Sequence, residues 1–92
     1  MEIFNQLAER IIKEQETIIG PIAFEQARKV SGLKIDEKSH SVDIQGNKKE
    51  VLENLVKQYE ALFGRTSVEV CKDAVKDIIS QAPKDQVPQV LL

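Results

Sequence analysis

The chain has 92 residues, of which 41% are hydrophobic and 30% are charged, and its formal net charge is −2. The length fits one small domain over residues 1–92, and the composition is that of a folded globular chain rather than a disordered one. The negative charge argues against a general affinity for nucleic acid, and no apolar run reaches the roughly 18 residues of a membrane span. We see no secretory leader and therefore expect a cytoplasmic protein.

Residues 7–31 and 51–75 match each other when the sequence is shifted by 44 positions. Apolar positions then fall on apolar positions, and Gly20 falls on Gly64. This internal repeat predicts two copies of a helix–turn–helix hairpin. The expected fold is all-α, or mainly α with a short β-hairpin, in which the two hairpins form a small four-helix domain with a short C-terminal tail.

In the first copy, apolar residues at helical spacing predict a helix that ends at Gly20. Glycine readily accepts the left-handed conformation that is common just after a helix. Pro21 follows, and proline suits the first turn of a new helix. The spacing predicts this second helix over about 21–31, with its inward face formed by Ile22, Ala23, Ala27 and Val30.

The segment between the copies, residues 33–45, changes from helical to alternating periodicity. Leu33 and Ile35 alternate with polar neighbours, and so do Val42 and Ile44. The intervening residues 36–41 are polar and typical of a turn. The pattern predicts either a short β-hairpin or an extended loop.

Two capping-box patterns mark the helices of the second copy. Asn47, with Glu50 three residues later, predicts the start of the third helix. Thr66, with Glu69 three residues later, predicts the start of the fourth helix, whose apolar periodicity continues to about Ser80.

The tail, residues 82–92, contains two prolines and cannot form a long regular helix. It ends in three apolar residues, which we expect either to fold back on the helices or to cover a partner. The first helix also carries more apolar residues than one intramolecular seam requires. We therefore predict a homodimer, or a complex with another protein, through an interaction face led by Phe4, Ile11, Ile18, Val90, Leu91 and Leu92.

Few side chains in the sequence suggest catalysis or metal binding. His40 is the single histidine and lies in a polar segment, and the acidic residues near it match no known spacing of metal ligands. Cys71 is the single cysteine and lies on the inward face of the fourth helix, which predicts a buried and unreactive thiol. We therefore predict no catalytic residue and no metal or other cofactor, and the sequence identifies no small-molecule substrate; a small enzyme is our third hypothesis.

The main alternative is a DNA-binding helix-turn-helix regulator, since each copy has two helices joined by a tight turn. Against it, the second helix carries Glu25 and the chain has little spare positive charge, so we expect no binding to generic duplex DNA at physiological salt. Clustering of the cations on one face would favour DNA, whereas a scatter would favour protein partners. The cations in question are Arg10, Lys13, Arg28, Lys29 and Lys34.

Residues 18–23 read Ile-Ile-Gly-Pro-Ile-Ala and precede a predicted helix. This stretch resembles a small helical module, with an Ile-Gly-Pro-Ile-Ala core, that is attached to some bacterial signalling proteins, including serine/threonine kinases. The resemblance covers residues 7–31 and, more loosely, 51–75, where Arg65-Thr66-Ser67 follows the glycine. It implies a regulatory or interaction role and supplies no catalytic residues. The leading hypothesis is a non-enzymatic protein–protein interaction or regulatory module of a prokaryotic cytoplasmic protein.

Overall fold

The computed structural model describes residues 2–36 and 38–92, so Glu37, in the predicted turn, lies outside the described residues. The described chain is mainly helical, with four α-helices and one short antiparallel hairpin. In chain order the elements are α1 (Ile3–Ile19), α2 (Ile22–Ala27), β1 (Leu33–Ile35), β2 (Val42–Ile44), α3 (Lys48–Phe63) and α4 (Arg65–Val75). Three 3₁₀ turns follow, at Ile79–Gln81, Lys84–Gln86 and Gln89–Leu91.

The segment between α2 and α3 is a β-hairpin, which was one of the two predicted alternatives. Leu33 pairs with Ile44, and Ile35 pairs with Val42. Leu33, Val42 and Ile44 are buried, because alternate residues of a strand point to the same side. The Asn5 side chain of α1 accepts a hydrogen bond from the Ile44 N–H at 3.0 Å. The hairpin is thereby fixed to the first helix.

The two predicted caps have different outcomes. The Asn47 side chain accepts a hydrogen bond from the Glu50 N–H at 2.9 Å, so the predicted cap of α3 is confirmed. The predicted Thr66 cap is wrong, because α4 begins at Arg65 with Gly64 in the cap position and has no side-chain cap. The Gly64 carbonyl accepts a hydrogen bond from the Ser67 N–H at 3.1 Å, and the helix therefore starts directly from the glycine turn.

Two helices are shorter than predicted. α2 ends at Ala27 rather than near residue 31, and α4 ends at Val75 rather than near residue 80. Beyond each end the backbone tightens, since Val30 N–H donates to the Ala27 carbonyl and Ile78 N–H to the Val75 carbonyl, both at 3.0 Å. Val30 and Ile78 are nevertheless buried. The apolar spacing thus identified inward residues correctly but not the continuation of the helix.

The helices pair across the two halves of the chain. Arg10 Nη1 donates to Asp77 at 2.9 Å, and Gln15, further along α1, contacts Ser67, nearer the start of α4. α1 and α4 are therefore antiparallel neighbours. The core between the elements is largely aliphatic, and its fully buried members include Leu7, Ile11, Ile12, Leu52, Leu55, Val56 and Val75. Within the described residues, none of the helices is long and apolar enough to cross a membrane.

The tail folds back on the helices. Val87 is 2% exposed and Leu91 is 4% exposed, and the last 3₁₀ turn packs against α4. Folding back was one of the two predicted fates of the apolar tail. These side chains therefore close the core of the monomer.

Candidate interaction surface

Half of the predicted interaction face lies inside the monomer. Phe4, Ile11 and Leu91 are 4%, 0% and 4% exposed. The prediction that they lead an interface is corrected here, because α4 covers the inner face of α1 and the tail packs on α4. A chain of this size hides more of its apolar surface than its helix patterns suggest. Of the remaining predicted residues, Val90 is partly buried, whereas Ile18 and Leu92 are 60% and 53% exposed.

A pair of buried hydrogen bonds ties the two halves together. Gln15 Nε2 donates to the Ser67 carbonyl at 3.1 Å, and the Tyr59 hydroxyl donates to the Ala23 carbonyl at 2.6 Å. Gln15 and Tyr59 are 44 positions apart, and so are Ala23 and Ser67. Each long helix is therefore fastened to the first turn of the short helix that follows the other glycine. The two contacts are equivalent under the same 44-residue shift.

The two glycine turns also have closely similar geometry. Gly20 has φ 78° and ψ −160°, and Gly64 has φ 84° and ψ −174°. The N–H of Gly20 donates to the Glu16 carbonyl and that of Gly64 to the Glu60 carbonyl, both at 2.8 Å. The predicted positive φ at both glycines is confirmed. A side chain at either position would be strained, which is why glycine ends both helices.

The last turns of α1 and α3 extend beyond the elements that cover them. Gln15 already lies opposite the third residue of the antiparallel α4, so the final turn of α1 runs past the start of α4. In the same way Tyr59 lies opposite the start of α2, so the final turn of α3 runs past it. Large apolar residues in these two final turns are consequently exposed, with the exception of Ile19, which packs against the core.

The two glycine turns carry most of the large hydrophobic side chains that are exposed. Within residues 2–36 and 38–92, five large hydrophobic side chains are exposed, and four of them flank the two glycines. We call this set the turn face: Ile18 (60% exposed), Ile22 (39%), Leu62 (51%) and Phe63 (39%). The fifth is Leu92.

Sequence reasoning identified only one member of the turn face. Ile22 was predicted to point inward, but α2 buries Ala23 and Phe24 instead and leaves Ile22 exposed at its first position. Leu62 and Phe63 continue the apolar spacing of α3, and that spacing gives no indication that they are exposed. The available signal was the repeat itself, because the 44-residue shift places Ile18 on Leu62.

Cys71 lies beside Gln15 in the centre of the molecule. It is fully buried, as predicted, and its sulfur accepts a hydrogen bond from Gln15 Nε2 at 3.4 Å. Burial raises the pKa of the Cys71 thiol to about 11, although the hydrogen bond from Gln15 partly opposes this. A thiol that stays protonated and covered is a poor nucleophile.

We expect Cys71 to react slowly with thiol reagents in the folded chain and to make stability fall at alkaline pH. Above its ordinary pKa the unfolded thiol loses its proton while the folded one keeps it, so the unfolded state binds fewer protons and stability decreases as pH rises. The shift, from 9.0 to about 11, corresponds to about 3 kcal/mol of stability, which is lost as the pH rises from 9 through 11. Burial also raises the pKa of Tyr59, in the same direction. Urea denaturation at a series of pH values from neutral to alkaline measures how the free energy of unfolding changes with pH. Cys71→Ala should reduce this slope and leave the part that comes from Tyr59, and an unchanged slope would contradict the assignment.

The buried hydrogen bond of Tyr59 should contribute measurably to stability. Tyr59→Phe keeps the packed ring but removes the donor to the Ala23 carbonyl. We expect a loss of about 1–2 kcal/mol in the free energy of unfolding, because a buried acceptor loses its partner. Thr17→Val is the control, since it removes an exposed hydrogen bond to the Lys13 carbonyl. Equal losses for the two variants would argue against a special role for Tyr59.

His40 lines a recess between α1 and the turn of the β-hairpin. Its ring lies 4.1 Å from the Phe24 ring, and its φ of 59° is unusual for a residue other than glycine. The recess has a volume of about 290 Å³ and its wall on α1 carries cations (Arg10, Lys13) and carboxylates (Glu9, Glu16). This mixture of charge favours no particular ligand. Within the described residues, no three histidine, cysteine or acidic side chains are grouped to hold a metal ion.

No protein-family model matches the chain, and comparison with curated proteins and with solved structures finds no significant match.

Proposed function

We propose that the chain is a non-enzymatic protein–protein interaction module and that the turn face is the surface by which it binds its partner. The observation that carries this proposal is that four of the five exposed large hydrophobic side chains of the described residues flank the two glycine turns. Scattered single apolar residues are normal on protein surfaces, whereas a grouping of them is typical of an interaction site. The resemblance of residues 18–23 to a bacterial signalling module supports a regulatory setting in a prokaryotic cytoplasm.

We also propose that the two helix–turn–helix halves are a duplicated hairpin in a four-helix arrangement. The nearly equal dihedral angles of Gly20 and Gly64 support this, and so do the two equivalent hydrogen bonds between the halves. Under this proposal the turn face is a paired surface, with one contribution from each copy.

The alternative, a DNA-binding helix-turn-helix regulator, receives less support. A recognition helix presents polar side chains to base edges. α2 has only six residues, and its exposed side chains are Ile22 and Glu25. Arg10 is occupied by Asp77, with its Nη1 2.9 and 3.1 Å from the two carboxylate oxygens. These features favour an apolar protein partner.

The proposal is tested by site-specific photocrosslinking of the full chain in cells that naturally make it. A photoreactive amino acid at position 63, in the turn face, should give a discrete protein adduct. The same group at Asp43, an exposed position on the β-hairpin, serves as the control and should give none. Ile18→Lys should abolish the adduct, because a charge in the middle of an apolar contact loses its hydration.

Each other outcome is decisive. A nuclease-sensitive adduct would support the DNA-binding alternative and overturn the proposal. The absence of any adduct from position 63 would also overturn it, as would an adduct that Ile18→Lys leaves unchanged.

A further inference from the structure

We infer that the turn face binds a basic amphipathic segment of another protein; the inference rests on the proposed function and names the chemistry of the partner. In such a segment, apolar side chains on one side are flanked by lysine or arginine. The apolar side chains would pack on the turn face, and the cations would meet the carboxylates around it. This arrangement, an apolar centre with a polar rim, is typical of protein interfaces.

The two glycine turns lie at the same end of the molecule. Gln15, near the end of α1, donates to the Ser67 carbonyl near the start of α4 at 3.1 Å. Tyr59, near the end of α3, donates to the Ala23 carbonyl near the start of α2 at 2.6 Å. Because each turn joins the end of a long helix to the start of a short one, these two bonds bring both turns together. One partner segment can therefore contact exposed residues of both.

Three of the four members of the turn face have a carboxylate one helical turn away. Residues three or four positions apart in a helix are neighbours on its surface. The neighbouring pairs are Ile18 with Glu14, Ile22 with Glu25, and Phe63 with Glu60. Glu14 and Glu25 are exposed, and Glu60 is half-buried. The apolar surface is therefore bordered by negative charge at both turns.

The surroundings of the turns are more acidic than the rest of the chain. Residues 14–25 and 58–69 contain five carboxylates and one cation, Arg65. These two ranges carry a net charge of −4, whereas the remainder of the chain carries +2. The negative net charge of the protein is thus concentrated around the turn face.

The carboxylates near the turns have no cationic partner within the described residues. The ion pairs of that part of the chain are Arg10 with Asp77, Lys48 with Glu2 and Lys57 with Glu53. Lys13, which immediately precedes the first acidic range, lines the recess beside His40. The carboxylates near the turns therefore remain available to cations of a partner. Complementary charge of this kind speeds association and fixes orientation.

The same charges argue against other occupants of the turn face. Nucleic acids and anionic lipid surfaces are bound through clustered cations, and they would be repelled here. A second copy of the chain would bring like carboxylates together. A segment that combines apolar side chains with cations meets both the apolar centre and the acidic border.

Fluorescence anisotropy of labelled synthetic peptides, titrated with the full chain at low salt, tests the inference. The basic probe is a helical peptide with leucines along one side and lysines beside them. A second peptide has glutamate in place of each lysine, and a third keeps the basic composition but distributes the leucines around the helix. The basic amphipathic peptide should bind at least about tenfold more tightly than either of the others, because only it matches both the charge and the apolar surface.

Charge variants of the chain should locate the cations of the bound peptide. Glu14→Gln combined with Glu25→Gln should weaken binding of the basic peptide about threefold at low salt, and by less at high salt. Glu50→Gln combined with Asp85→Asn is the control, because it removes the same charge at exposed positions near the opposite end of α3. The control should leave the affinity unchanged.

An apolar variant should locate the leucines of the bound peptide. Leu62→Ser should weaken binding at least about tenfold, since Leu62 is 51% exposed in the turn face. Leu92→Ser changes an exposed apolar residue outside the turn face and should bind like the parent chain.

Several results would overturn the inference. These are equal affinity for the basic and acidic peptides, equal affinity for the basic peptide and its redistributed form, and no binding of the basic peptide at millimolar concentration. Equal effects of the two charge variants would also overturn it. The proposed function is judged separately by the adduct from position 63. An adduct there with a partner segment that lacks cations would overturn the inference and leave the proposed function standing.

Discussion

Ile11→Lys should unfold the chain, whereas Ile18→Lys, two helical turns further along, should leave it folded. Ile11 is 0% exposed in the seam covered by α4, and Ile18 is 60% exposed in the overhanging turn. Replacing the buried isoleucine removes packed apolar atoms and places an unpaired ammonium group in the core. Truncation alone would cost about 2–5 kcal/mol, and the charge adds to this cost. Because small domains have total stabilities of about 5–15 kcal/mol, little stability would remain.

Circular dichroism and urea denaturation of both variants measure this difference. Ile18→Lys should shift the free energy of unfolding by less than about 0.5 kcal/mol, as for an ordinary surface substitution. If Ile11→Lys unfolds no more easily than Ile18→Lys, the inner face of α1 has been assigned wrongly. The comparison also separates folding from binding, since Ile18→Lys is expected to lose only the contact with the partner.

Gly32→Ala should be the most damaging of the small substitutions in the turns. Gly32 has φ +87°, and a Cβ placed on it would lie 2.7 Å from the Gln45 carbonyl oxygen and 2.8 Å from Val51 Cγ2. Both distances are well below van der Waals contact, and the first involves backbone that is itself bonded, since Gln45 N–H donates to the Gly32 carbonyl at 2.7 Å. We expect a loss of about 2–4 kcal/mol, from the left-handed conformation together with displacement of the hairpin.

Gly46→Ala is the matched control for this prediction. Gly46 has φ +95°, but a Cβ there would meet no atom within 4 Å. Gly46→Ala should therefore lower the free energy of unfolding only by the cost of placing alanine in the left-handed conformation, about 1 kcal/mol. Urea midpoints of the two variants give the comparison. Equal losses would mean that the close approach of Gln45 and Val51 to Gly32 does not constrain the fold.

Local sequence signals predicted the parts of the fold that depend on local chemistry. The glycine turns, the cap at Asn47 and the alternating strands are each determined by a few neighbouring residues. The ends of α2 and α4 were predicted less well, because Val30 and Ile78 remain buried in tighter turns and so keep the apolar spacing of a helix. Apolar residues at helical spacing are therefore found both in a helix and in the tighter turns that follow its end, and the spacing does not distinguish the two.

The candidate surface was harder to predict for a different reason. Apolar spacing identifies the side of a helix that packs against the rest of the protein. It does not show where along the helix the neighbouring element ends. Ile11 and Ile18 belong to similar apolar patterns, yet one is buried and the other exposed. The difference arises because α4 begins opposite Gln15. That pairing joins residues 52 positions apart and leaves no local trace in the sequence.

The two buried hydrogen bonds between the halves also affect how the chain folds. Tyr59 reaches back 36 positions to Ala23, and Gln15 reaches forward 52 positions to Ser67, so neither contact forms until the hairpin region has brought the halves together. Closing such loops costs chain entropy before the packing energy is gained, which slows folding relative to a bundle of sequential neighbours. Neither half should act as an independent folding unit. Amide protons in both halves should therefore exchange through one global opening, and a protease cut within residues 36–41 should leave two fragments that retain structure only in each other's presence.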